Sequence, residues 1–595
     1  MSEQPPEGEV LEAGRRLSES SVWRLQREFF DRRGARAWSE NRVPSHVTSN
    51  AYIAEAYVRI ALRFLQDLGR PVDGEAALDP ARPVHVVEIG AGHGYFGYLF
   101  LCKLLELREL IPFPLPPIRY VLTDFTENNL AAWRRHERLR PFLDAGLLDF
   151  ARFDAEKDGE LRLERSGEVL VAGAAGNPMV VIANYVFDSL SQDVFRIRGG
   201  KLEESLVTLR MVRPPRPEDR DLLEHVALGY EHRPVADAAA YYPDDPAIGR
   251  ILAGYAARLG DTSLGLPLGA LRCVQNLARL AGGRMLLLSA DKGHARELDL
   301  LGLGDPHLAH HNGCISLMVN FHALGELVAE QGGIMLAQAS RNASLEICAF
   351  ALAGGRPLPE TRYAFDQVLE RVGPTDVYRL IDQLALDKMD LDQLLAVLRM
   401  AAWDPVTFIG LSRDLHRTAG DAYLEQHARL RDALGRVWQL HFPLADGKDV
   451  GFELGYVYYA MRRYREALFF YRHSLELYGP HPVTLFNMGL CEFQQGRLDE
   501  ALASFDRALA QDPSYAPARD WRMRVVAERG EALEDVPRLP GGATALAPAS
   551  PSPPQPPIDA GAPPASGGVA AQDRAPAVVV GVADGDERRV PPGVA

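Results

Sequence analysis

The sequence predicts an α/β protein: a mostly parallel, Rossmann-like sheet, followed by an all-α repeat segment. Two observations predict it. Short apolar runs at Val84–Ile89, Ile118–Leu122, Phe150–Phe153, Met179–Ala183 and Met285–Leu288 alternate with helical stretches, and that alternation implies a parallel sheet covered on both faces. Further along, Leu454-Gly455, Tyr458, Ala467, Tyr471 and Ser474 are answered one period later by Met488-Gly489, Ala501, Phe505 and Ala508, then Pro513. That spacing, roughly 34 residues with small residues where helices cross and aromatics between them, is the tetratricopeptide pattern.

At 595 residues the chain exceeds one ordinary core, so several domains are expected. Residues 1–82 read as an N-terminal helical cap, with Val22, Leu25, Phe29 and Phe30 at helical spacing and Ile53, Ala56, Tyr57, Ile60, Phe64 and Leu65 again so. A loop, Trp38–Asn50, separates the two runs. Residues 83–355 hold the sheet, and 197–266 form a polar, proline-containing insertion read as covering its functional edge. Residues 356–447 are a helical connector without assignable chemistry, 448–535 the tetratricopeptide repeats, and 536–595 a Pro/Ala/Gly-rich tail expected to be disordered.

Composition removes several classes. With 47% hydrophobic and 24% charged residues, most of the chain can fold by burial. A formal net charge of -15 opposes non-specific attraction to nucleic acid or anionic lipid, so neither is expected as a partner. Cys102, Cys273, Cys314, Cys348 and Cys491 form no C-x-x-C pair, which fits reduced thiols in a cytoplasmic compartment rather than a disulfide framework or a zinc site. The polar, acidic first residues predict no secretory leader, and the longest apolar run, Leu99–Ile111, is broken by Lys103, Glu106, Arg108 and Glu109.

The richest stretch is VHVVEIGAGHGYFGYLF, Val84–Phe100. A strand running through glycines into a helix places a small molecule at the strand's carboxyl end, and Gly90, Gly92 and Gly94 let backbone approach it. Two ligands compete here, because Gly92-x-Gly94-x-x-Gly97 also fits a dinucleotide fingerprint. Glu88, two positions before the first glycine, suits the ammonium of a methionine moiety and would repel a pyrophosphate. Asp124 ends the next strand, where it can accept from two ribose hydroxyls. Asp154 ends the third, near the adenine edge. Together these favour S-adenosyl-L-methionine. The fourth strand ends in Asn184, Tyr185 and Asp188, the candidates for orienting a methyl acceptor; Asp188 reads equally as a proton acceptor or a helix cap. His307, His310, His311 and His322 lack partner acids at ligand spacing, so no metal site is expected.

On these motifs residues 38–352 resemble the MidA-like methyltransferases, the group that includes the mitochondrial complex I assembly arginine methyltransferase. EIGAGHG looks like the family's EIGAGRG, IANYVFDSL like its ANEFFDALP, and His46–Asn50 like its loop ahead of the first long helix. Gly313 to Phe321 looks like its segment ending in valine-aspartate-phenylalanine. The resemblance implies a Rossmann-like class I methyltransferase fold and adds Thr48 and Ser49 to the cofactor pocket. Tyr185 stands where the family has glutamate, Ser191 where it has proline, Asn320 where it has aspartate and His93 where it has arginine. Losing the acid at 185 weighs against arginine as acceptor.

The expected function is a methyltransferase acting on a protein recruited through the repeats. A non-catalytic scaffold, kept open by Tyr185, and a small-molecule methyltransferase with 197–266 as lid are the alternatives.

Overall fold

The computed structural model describes residues 8–34, 37, 46–71, 78–213, 221–339, 345–444 and 446–530. The tail expected after residue 536 and most of the loop expected from Trp38 lie outside them. The chain divides into two compact units between Gly479 and Pro480.

The principal elements of the first unit begin with β1 (Glu9–Arg15), α1 (Ser21–Arg33) and α2 (Ala51–Gly69). The sheet region follows with β2 (Val84–Glu88), α3 (Tyr95–Arg108), β3 (Ile118–Asp124), α4 (Glu127–Arg135), β4 (Leu148–Arg152) and β5 (Met179–Asn184). Next come β6 (Asp193–Arg198), β7 (Lys201–Met211), β8 (Val226–Pro234), α5 (Pro246–Arg258), β9 (Thr262–Leu266), α6 (Leu268–Leu280) and β10 (Arg284–Asp291). Helix α7 (Phe321–Glu330), β11 (Ile334–Ala337) and β12 (Glu346–Ala353) complete the sheet region. Helices α8 (Pro405–Ala419), α9 (Val450–Ala460) and α10 (Tyr464–Tyr478) stand out in the helical remainder.

The main sheet has seven strands in the order β11-β12-β10-β5-β2-β3-β4. The five strands from β10 to β4 run parallel, and β12 is antiparallel to both β10 and β11. Alternate side chains go to opposite faces. Val86, Val180, Ile182 and Leu286 join a core with Tyr57 and Phe64 of α2 and Phe100 of α3. Val87, Val181 and Leu287 join the other, with Tyr255 of α5, Leu271 and Leu277 of α6 and Leu324 of α7. Burial on both faces makes these strands continuous apolar runs. The chain leaves β2 toward β3 and β4, then returns to β5 on its other side, so the order reverses between β2 and β5. In such sheets the crevice at the carboxyl ends beside the reversal is the binding position.

Five strands were legible as parallel-sheet runs; β11 and β12 are additions. The expected insertion folds as a second, antiparallel sheet in which β6 pairs β9 and β7 pairs β6, β8 and the N-terminal β1. The N-terminal segment thus holds the two expected helices and, in addition, a strand. Its residues are mostly exposed, so no two-residue hydrophobic alternation announced it. This sheet packs on Val22 and Trp23 of α1 through Val194, Val207 and Leu209. It holds α1 over the open end of the main sheet.

The repeat helices show the same joint in each unit, taken separately. In the first, a Cβ on Gly455 of α9 would lie 2.6 Å from the Tyr471 ring of α10. In the second, made of α11 (Pro482–Gln494), α12 (Leu498–Gln511) and α13 (Ala516–Glu528), a Cβ on Gly489 would lie 2.5 Å from the Phe505 ring. Each aromatic fills the space that the glycine leaves.

Candidate active site

The glycine loop after β2 needs left-handed backbone at three positions: Gly90, Gly92 and Gly94 have φ of 61°, 55° and 82°. Only glycine adopts these without strain. Trp133 Nε1 donates to the Gly92 carbonyl at 2.9 Å and the Gly92 N–H donates to Asp124 Oδ2 at 3.2 Å, which ties the loop to the tip of β3. Helix α3 then starts at Gly94 and crosses Glu88 closely enough that a Cβ on Gly97 would meet Glu88 Oε2 at 2.8 Å.

Glu88 is buried, and the Tyr120 hydroxyl donates to its Oε2 at 2.8 Å. Burial pushes its pKa up to about 8, against the lowering effect of the Tyr120 bond. Asp124 is buried as well. Burial raises its pKa, and four donors oppose that: Thr126 N and Oγ1, both at 2.9 Å, Asn129 Nδ2 at 2.8 Å and Gly92 N. Its carboxylate is therefore oriented by the protein alone.

Two adjoining cavities, of about 770 and 830 Å³ with their mouths included, share Phe30, Gly90, Tyr185 and Ser189. The first is bounded by Asp124, Phe125, Asn129, Asp154 and Ala155 below and by Trp23, Gln26 and Arg27 of α1 above. Arg27 reaches Asp154 at 2.6 Å and lies over the Phe125 ring at 4.5 Å. Gln26 is fixed by two bonds to the Ile315 backbone, at 2.7 and 2.9 Å. The second cavity takes Thr48, Ser49, Glu88, Gly92, Asn184 and Asp188, with Lys292, His311 and Ser316 opposite.

The predicted site residues thus distribute as follows. Gly90, Tyr185 and the acids Asp124 and Asp154 reach the first cavity; Thr48, Ser49, Glu88, Gly90, Gly92, Asn184, Tyr185 and Asp188 reach the second. Gly94 lines neither; it supplies the turn into α3. Asp154 lies two residues beyond β4, already engaged by Arg27. Asn184 accepts through Oδ1 from the Tyr57 hydroxyl at 3.0 Å and the Ala290 N–H at 3.1 Å, while its Nδ2 has no hydrogen-bond partner among the described residues. Tyr185 is held at φ 52°, its N–H donating to the Ala290 carbonyl at 2.9 Å.

Sequence reasoning missed Asp291, at the end of β10. Its Oδ2 accepts from the Asp188 N–H at 3.1 Å. Burial pushes Asp188 up to about 6, and burial together with Asp188 holds Asp291 well above the carboxylate range. Asp291 ends its strand as Asp124 does, and that was the available signal. Arg27, Asn129 and Lys292 carried none. Among the described residues no group of three or more His, Cys, Asp or Glu side chains is placed to hold a metal. His311 bonds Ser316 Oγ at 2.8 Å and His322 bonds the Tyr255 hydroxyl at 2.9 Å.

The connector, assigned no chemistry from sequence, presses on the glycine-loop helix. Phe442 stacks on His136 at 3.6 Å and on Tyr95 at 5.6 Å. Asp404, fully buried, accepts from the Ala51 N–H at 3.3 Å at the start of α2.

A strand order with β12 antiparallel beside β10 and a glycine turn after β2 define the Rossmann-like class I methyltransferase fold. Residues 452–481 and 482–515 each match a tetratricopeptide repeat model. Among solved structures the chain is similar to a COG1565 superfamily member and likely methyl transferase from Burkholderia thailandensis, bound to S-adenosyl-homocysteine, at 15% identity over 57% of this chain and 88% of that one, TM-score 0.36. It is similar to an uncharacterized protein of that superfamily from the same organism, at 15% identity over 57% and 92%, TM-score 0.34. A third likeness is to YrrB, a tetratricopeptide repeat protein with an unusual peptide-binding site, at 20% identity over 29% and 84%, TM-score 0.22. No curated protein matches the chain. No helix among the described residues is long and apolar enough to cross a membrane.

Proposed function

We propose that residues 83–355 form an S-adenosyl-L-methionine-dependent methyltransferase domain. The observation that carries this reading is the joined cavity at the reversal of strand order, with an oriented carboxylate at one end and an unpartnered amide near the other. The residues present fit the cofactor. Asp124, with the Asn129 Oδ1 beside it lacking a partner, suits ribose hydroxyls. Phe125 and Ala155 offer apolar surface for a purine. A Cβ on Gly90 would enter the cavity side and meet Val186 at 3.0 Å. Glu88, Thr48 and Ser49 suit the ammonium and carboxylate of the amino-acid end.

When bound, the cofactor supplies an electrophilic methyl on a sulfonium. The chain's part is then positioning and exclusion of water. Asn184 is locked by Tyr57 and Ala290 with its Nδ2 available. Tyr185 lines both cavities, and Asp188, its carboxyl pushed up by burial, can orient the acceptor or hold its proton. Tetratricopeptide repeats of the kind matched at 452–481 and 482–515 hold peptides in many proteins, so a protein acceptor, or a protein that recruits it, is the second part of the proposal.

Calorimetry of S-adenosyl-L-methionine against the full chain, followed by detection of S-adenosyl-homocysteine after incubation with a protein lysate, tests both parts. Binding and product are expected. A chain ending at Gly479 should keep the binding and lose most of the turnover on protein; unchanged turnover overturns the recruiting role, and absence of cofactor binding overturns the whole reading.

A further inference from the structure

In the second cavity a lysine stands with no carboxylate in ion-pair reach among the described residues. Lys292 is its only lysine or arginine among the described lining residues, and no described carboxylate lies within 4.0 Å of its ammonium. Asp188 acts on it from beyond ion-pair reach. The nearby histidine adds no charge at neutral pH, because burial and then Lys292 push His311 down to about 4. The same cavity is lined by the buried acids Glu88 and Asp188, by Ser316 and His311 as hydrogen-bonding groups, and by Phe30, Phe96 and Ile315 as apolar wall. A cation with no carboxylate in ion-pair reach attracts an anion and repels a guanidinium.

We infer, resting on the methyltransferase reading above, that the acceptor presents a carboxylate on an apolar body, held by Lys292 in the lobe bounded by Asn184, Asp188 and Ser316. Methylation of that carboxylate balances without a base. One carboxylate oxygen uses its lone pair to form the O–CH₃ bond, the electron pair of the broken methyl–sulfur bond stays on sulfur, and the anionic and sulfonium charges cancel. No proton has to leave.

The carboxylate can belong to a free organic acid or to a peptide's C-terminus, and the probes separate them. Binding of 4-phenylbutyrate and of a pentapeptide ending in phenylalanine, each compared with its primary amide, is measured by calorimetry on the full chain with and without S-adenosyl-homocysteine. At least one carboxylate is expected to bind tenfold or more tightly than its amide, and the tighter of the two names the source. Lys292→Met should reduce that preference to about twofold, Lys292→Arg should retain it, and the affinity for S-adenosyl-homocysteine should stay within about twofold in both. Equal binding of acid and amide by the wild type overturns the inference, as does a preference that survives in Lys292→Met. A large loss of S-adenosyl-homocysteine affinity in Lys292→Met overturns it differently, by assigning the lysine to the cofactor's own carboxylate. Failure of the wild type to bind S-adenosyl-homocysteine at all strikes the methyltransferase reading instead, and is read from the titration without probes.

Discussion

The two lobes of the cavity are electrostatic opposites. In the lobe bounded by Asp124, the acid is oriented by four protein donors before any ligand arrives. In the lobe bounded by Asp188, that residue's N–H donates to the buried Asp291 carboxyl behind it, and a lysine stands without an ion-pair partner among the described residues. The first arrangement presets a geometry and suits a ligand that is always the same. The second leaves charge uncompensated, which is how a site discriminates among ligands.

The largest test of that division is Asp124→Ala. Loss of two charge-assisted hydrogen bonds at about 1.5 kcal/mol each removes about 3 kcal/mol, or roughly 100-fold in cofactor affinity. Asp188→Asn is expected to leave that affinity within about twofold, because its carboxyl belongs to the other lobe. Calorimetry on both variants, with circular dichroism to confirm folding, decides it; equal losses would mean that the lobes do not work separately.

A smaller effect sharpens the comparison through pH. Glu88 lines the second lobe with its pKa pushed up to about 8 by burial, so in the free chain it is protonated at neutral pH. An ammonium favours its ionised form, and binding must therefore release a proton below that value. Cofactor affinity is expected to rise as pH goes from about 6 to about 8, by less than tenfold per unit, and to stop rising where the ligand's own amino group loses its charge, near a pKa of about 8. Titration in two buffers of different ionisation enthalpy counts the proton, and Glu88→Gln should flatten the rise.

The two walls of these lobes were unequally legible. Glu88, Gly90, Gly92, Asp124 and Asp154 fall within one strand–turn–helix–strand succession, where each role follows from local pattern. The opposing wall is assembled from Arg27, Lys292 and Ser316, with the buried Asp291 behind Asp188, which only the tertiary fold brings near the glycine loop. Strand β12, buried along its whole length, reads in sequence as an apolar run no different from a helix interior. The connector's Phe442 and Asp404 act by covering α3 and capping α2, and neither contact leaves a periodic trace.

Tyr185 is where the lobes meet, and it gives the smallest but most discriminating effect. A tyrosine at φ 52° carries local strain of about 1–2 kcal/mol, and glycine would remove it. Against that, Tyr185→Gly gives up a partly buried ring packed against the core beside α2, and frees the unfolded chain by about 0.4–1 kcal/mol. The opposing terms are of similar size, so stability by chemical denaturation should move by no more than about 1 kcal/mol, where a residue kept for packing alone would cost about 3. Turnover should nevertheless fall tenfold or more, because the ring that separates the two cavities would be gone. A large loss of stability with turnover per folded molecule intact would show the opposite, that the strained backbone is held for the fold and the ring has no part in placing the acceptor.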